Sequence, residues 1–81
     1  MERAVLAALV DCLAFIEQSP DEVVDGDAAV QTLEDGSARL AALPPSDRGE
    51  LVARLRDLAL EAEPPRREFI EGLPEALGLT A

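Results

Sequence analysis

Glu2 to Gln18 reads ERAVLAALVDCLAFIEQ. It is the most apolar run of the chain and holds neither Gly nor Pro. At about 100° per residue, Val5, Leu6, Leu9, Cys12, Leu13 and Ile16 fall on one side of a helix. Ala8 and Phe15 widen that side to about half the circumference. A surface helix ordinarily buries a stripe about 100° wide. A face so much broader is expected to have neighbours on two sides, which makes this helix the expected central element. Its other side carries Ala4, Ala7, Asp11, Ala14 and Gln18, spaced three and four apart. That seam reads as a solvated back face, filled with Ala because Ala is the best helix former. The alternative is a self-association seam, where a second copy makes a homodimer. Asp11 favours the solvated reading, since a buried carboxylate needs a partner.

Working outward, Ser19-Pro20 stops this helix. Asp21 to Gly26 is a linker, with Val23 and Val24 expected to tack it to the core. Asp27 is the expected N-cap of a second helix, 28–43. Val30, Leu33, Ser37 and Leu40 share its inner face, and Gly36-Ser37 suggest a close approach to the first helix. Pro44-Pro45 ends it. Asp47 with Glu50 has the spacing of a capping box for a third helix running to about residue 62. Leu51, Leu55, Leu58, Ala59 and Ala62 form its stripe, Leu60 points outward, and Glu50 and Arg54 stand at the favourable i,i+4 spacing. Pro64-Pro65 breaks the chain again. A fourth helix is expected to reach Glu71 with Gly72 at its end, followed by a last turn from Pro74 to Gly78. No segment alternates with period two. The expected fold is all-α: one domain over residues 1–81, a small antiparallel helical bundle of three main helices plus a short C-terminal helix.

Composition narrows the chemistry. Among 81 residues, seventeen acids face seven bases, giving a net charge of −10. All seven bases are Arg, and there is no Lys, His, Trp or Tyr. Such a field repels nucleic-acid phosphates and anionic membrane surfaces. A partner chosen by charge is therefore expected to be basic. One Cys permits no intramolecular disulfide. With no signal-like leader and no apolar run of membrane-spanning length, the expectation is a soluble cytoplasmic protein.

Catalysis is not expected. Nucleophilic chemistry needs a base beside Ser, Thr or Cys, and the chain has neither His nor Lys. Cys12 is expected in the core, behaving as a small hydrophobe. A sugar-cleaving carboxylate pair needs a lined cleft, for which two Phe in so short a chain are poor material. Asp21, Asp25 and Gly26 fit positions one, five and six of a calcium loop, but Val23 and Thr32 stand where further ligands belong. No metal and no cofactor is expected. Arg66 and Arg67 open the fourth helix, where the dipole disfavours cations. Pairing with Glu63 and Glu71 is the expected remedy, and an anion or carboxylate contact the alternative.

The most distinctive feature is a charge asymmetry. Between Arg3 and Arg39 there is no base, while Glu17, Asp21, Glu22, Asp25, Asp27, Glu34 and Asp35 gather in and around the first connection. They are expected to form an acidic rim on which a basic protein partner docks; the plainer reading is solubility alone.

In length, charge and helix count the chain is similar to acyl and peptidyl carrier proteins. Their attachment Ser opens the second helix in a pattern like Asp-Ser-Leu. Here Asp35-Gly36-Ser37-Ala38 is the nearest match, with Ala38 in the Leu position and Ser37 inside the expected helix. The chain is similar only in class to the nuclease-inhibiting immunity proteins, which bind through a Tyr pair it lacks. No family is assigned on these residues. The leading expectation is a non-enzymatic protein-interaction module, with a self-associating structural bundle or a carrier-like domain as alternatives.

Overall fold

The computed structural model describes residues 2–80 as an all-α bundle of four helices, with no strand among them. The helices are α1 (Arg3–Gln18), α2 (Gly26–Ala41), α3 (Pro45–Glu61) and α4 (Arg66–Ala76). The three long helices and shorter last one follow the expectation. No helix among these residues is long and apolar enough to cross a membrane.

The hydrophobic hub is not where the most apolar run lies. The most extensive packing is between α3 and α4, and α1 lies against α2 and α3. Leu51, Val52, Leu55 and Ala59 of α3 are buried, as are Ile70, Leu73 and Pro74 of α4. Leu77 and Leu79, just beyond α4, complete that side. From α1 only Leu6 and Val10 are buried. The expected central role of α1 is therefore corrected. Its buried face is also turned, by roughly 80°, toward Ala7 and Ala14 and away from Cys12 and Phe15. Cys12 is exposed rather than in the core, and Phe15 and Val5 are 58% and 63% exposed. Period alone marked a broad apolar face; which part of the circumference is covered depends on where α2 and α3 pack against it.

Helix α2 buries no residue fully. Leu33, Ser37 and Leu40 are half-buried on its inner side, while Val30 is 56% exposed and Val23, meant as a tack, is 62% exposed. The anticipated close approach at Gly36 is absent: a β-carbon added there meets nothing within 4 Å.

The helix ends follow local chemistry. Glu2 caps α1, its carboxylate accepting the Ala4 and Val5 N–H groups at 3.0 and 3.2 Å. For α2 the cap is Asp25 rather than Asp27. Its Oδ2 accepts the Ala28 N–H at 3.0 Å, and Asp27 sits in the first turn, where the dipole favours an acid. Helix α3 has no side-chain cap; Pro45 starts it, since a proline loses nothing where the N–H is unpaired anyway. The expected Asp47–Glu50 capping box is thus not formed, whereas Glu50 and Arg54 do pair, at 3.9 Å. Helix α4 does not stop at Gly72. It runs through Pro74 to Ala76 and closes at Gly78, whose φ is 69°. The Leu79 N–H donates to Pro74 O at 2.9 Å and the Gly78 N–H to Glu75 O at 3.0 Å. These are the two bonds of a Schellman motif, and the buried Pro74 and Leu79 supply its apolar contact.

Candidate interaction surface

The seven acids of the proposed rim divide between two helices and their connection. Glu17 is in the last turn of α1, Asp21, Glu22 and Asp25 lie in the connection, and Asp27, Glu34 and Asp35 are on α2. Every one of them is exposed. Two have local work: Asp25 caps α2, and Asp35 accepts the Gln31 side-chain N–H at 2.9 Å. Among the described residues none of the seven is paired with an Arg. On α2, Asp27 and Glu34 stand within roughly 20° of each other, with Asp35 about a quarter turn further round. Opposite them lies the half-buried side of Leu33, Ser37 and Leu40. The outer face of α2 is therefore acidic, and Arg39 in its last turn is its one base.

Two acids elsewhere tie helices together. Asp11 Oδ1 accepts from Arg66 Nη2 at 2.6 Å, and Arg3 pairs with Glu61. Both contacts join α1 to the α3–α4 corner. The α1 seam accordingly divides: Ala4, Asp11 and Gln18 are exposed, Ala7 and Ala14 half-buried. Ala14 and Gln18 border a hollow of about 160 Å³ with Pro65, Arg66 and Phe69 of the same chain. The seam thus already has a neighbour at its C-terminal half.

The expected pairing of Arg66 and Arg67 with Glu63 and Glu71 is not what forms. Arg66 takes the carboxylate contact with Asp11. Arg67 turns back onto α3, its Nε donating to Ala59 O at 3.1 Å and Ala62 O at 2.9 Å. Its Nη2 reaches Leu60 O at 3.5 Å. The guanidinium fork thereby satisfies carbonyls that the end of a helix leaves open. Sequence reasoning missed this role. The available signal was a cation a few residues beyond the end of a helix, next to a proline break.

The hollow between α1 and α3, lined by Arg3, Leu6, Arg54, Asp57, Leu58 and Glu61, holds about 130 Å³. Sites for drug-sized ligands occupy about 300–1,000 Å³. A wider trough of about 450 Å³ is bounded by only Arg56, Ala59, Leu60 and Glu71, with Leu60 74% exposed. Ser37 lies well inside α2, half-buried, in a groove with Leu13, Glu17, Leu33 and Leu77. It is not at a helix start. Among the described residues no group of three metal-ligating side chains gathers to hold an ion.

The class this arrangement defines is a small all-α bundle with an acidic outer helix face. Comparison with family models, curated proteins and solved structures finds no significant match for the chain.

Proposed function

We propose that the chain is a non-enzymatic protein-interaction module that binds a basic protein partner through the acidic outer face of α2 and the connection before it. The observation that supports this reading is a contrast. From Asp47 to Glu75 five Arg are interspersed among eight acids, whereas between Arg3 and Arg39 there are eight acids and no base. Glu17, Asp21, Glu22, Asp25, Asp27, Glu34 and Asp35 are exposed and have no Arg beside them. Like charges held together without neutralisation destabilise a fold slightly, and a partner's cations relieve that repulsion while steering its approach. The exposed, unpaired thiol of Cys12 fits a reducing, cytoplasmic setting.

The test is capture on the immobilised chain at low and moderate salt, repeated with the Asp27→Lys/Glu34→Lys double variant. Both side chains are exposed and neither caps a helix, but Asp27→Lys puts a cation in the first turn of α2 at a cost of about 0.3–1 kcal/mol, so far-UV circular dichroism must first show that the variant keeps the parent's helix content. The expected result is a basic protein retained at low salt, released as screening rises, and lost from the variant. Retention that ignores both salt and the variant would remove the basis of the acidic-face reading.

A further inference from the structure

Helix α1 has a second exposed face that the acidic reading does not use. Val5, Ala8, Cys12 and Phe15 are all exposed and follow one another at spacings of three, four and three. This is the a/d spacing of a helix that packs along another helix. The stripe is uncharged across roughly 100° of the circumference, with Ala4 inside its edge. Asp11, which borders it, is paired with Arg66.

We propose that this stripe is an interface with a second copy of the chain, α1 packing antiparallel on α1. Three observations select that occupant. First, the stripe is self-complementary. In an antiparallel crossing centred at the level of Val10, Val5 of each copy lies opposite Phe15 of the other, and Ala8 opposite Cys12. Small residues then meet at the middle, where the helices approach most closely, and larger ones close the ends. A two-fold interface requires this kind of self-match. Second, a basic partner drawn by the acids of α2 finds no charge here to recognise. Third, the molecule is too open for an isolated chain of its size. Its accessible surface is 5400 Å², whereas a folded monomer of this mass exposes about 4,700 Å². The excess, about 700 Å², belongs to the chain as a whole and is of the order of the roughly 800 Å² that one partner of a standard interface covers. Its radius of gyration is 12.7 Å against about 11.7 Å for a compact domain of this length.

This face differs from the Ala7–Asp11–Ala14 seam, whose C-terminal half the chain covers itself. It also has a salt response opposite to that of the acidic face. Two copies of net charge −10 repel one another, so screening strengthens the dimer while it weakens capture of a basic partner.

Sedimentation of the full chain across about 1–200 µM, at low and moderate salt, tests the proposal. The expected result is a reversible monomer–dimer equilibrium whose dissociation constant falls about threefold or more as salt rises. Ala8→Glu places a charge at the centre of the stripe on a side chain already exposed, and should raise that constant at least tenfold, a loss of about 1.4 kcal/mol. Far-UV circular dichroism of the variant should match the parent. Val5→Gln serves as the second variant if Ala8→Glu loses helix. A wild-type chain that stays monomeric over the whole range overturns the proposal, as does a dimer that both variants leave intact.

Discussion

Arg66 and Arg67 are adjacent in the sequence yet work on different helices. Arg66 reaches Asp11 on α1, and both side chains are largely solvated, at 42% and 66% exposure. Such a pair contributes about 0–1 kcal/mol. Arg67 is half-buried and binds main-chain carbonyls at the end of α3, which water cannot serve as well once α4 has packed beside them. Arg67→Ala should therefore destabilise the fold by about 1–2 kcal/mol, while Asp11→Asn changes it by no more than about 0.5 kcal/mol. Chemical denaturation of the two variants beside the parent checks the ordering. Equal effects would show that Arg67 is not capping α3. The position of both residues in the first turn of α4 is legible in the sequence. Their partners differ in legibility: Ala59 and Ala62 lie eight and five residues before Arg67 across a proline break, whereas Asp11 comes near Arg66 only once α1 has packed beside α4.

At the scale of the element, α1 shows how far a periodic pattern goes. Its apolar residues covered about half the wheel, and that breadth was read as two neighbours. In the fold α1 does have two neighbours, α2 and α3, but they cover a face rotated from the expected one, leaving Val10 fully buried and Val5 63% exposed. Val10→Ala removes two methyl groups from a filled site and should cost about 2 kcal/mol. Val5→Ala in the monomer should stay within about 0.5 kcal/mol. Thermal unfolding at a concentration below about 1 µM, under the range proposed for self-association, separates them. If Val5→Ala is the more damaging, the buried flank has been misassigned. Helix α4 makes the complementary point. Gly72 looked like a stop, but the chain carries the helix past it because Leu73, Pro74, Leu77 and Leu79 all find cover against the core. The positive φ that closes it is at Gly78.

The whole molecule is uneven in its cohesion. Helices α3 and α4, with the two buried residues of α1, hold the core, whereas α2 contributes only half-buried side chains. Local opening is least costly where few apolar contacts are lost. Amides of α2 should therefore exchange with solvent through partial opening, well before the amides around Leu55 and Ile70, which should exchange only by global unfolding. Native-state hydrogen exchange resolves this. Uniform protection across all four helices would contradict it. The arrangement also separates two kinds of surface. The acids face outward on the least anchored helix, and the uncharged stripe lies on α1. The opposite salt responses proposed for them follow from that separation.

The residue order alone determined the helical class, the four segments and the proline breaks between them, because period and breakers act within a few residues, while the expected stop at Gly72 and caps at Asp27 and Asp47 gave way to Gly78, Asp25 and Pro45. It also fixed the excess of acid between Glu17 and Asp35. What the tertiary structure decided was which faces are covered. Whether Cys12 lies in a core or on a surface, whether Asp11 has an Arg partner, and whether Gly36 meets a neighbour depend on residues tens of positions away. Local periodicity carries no record of them. The same limit explains why Glu2 to Gln18, the most apolar run of the chain, proved to flank the core rather than occupy its centre: hydrophobicity sets how much surface a helix offers for burial, and only the packing of α3 on α4 determined how much was taken up.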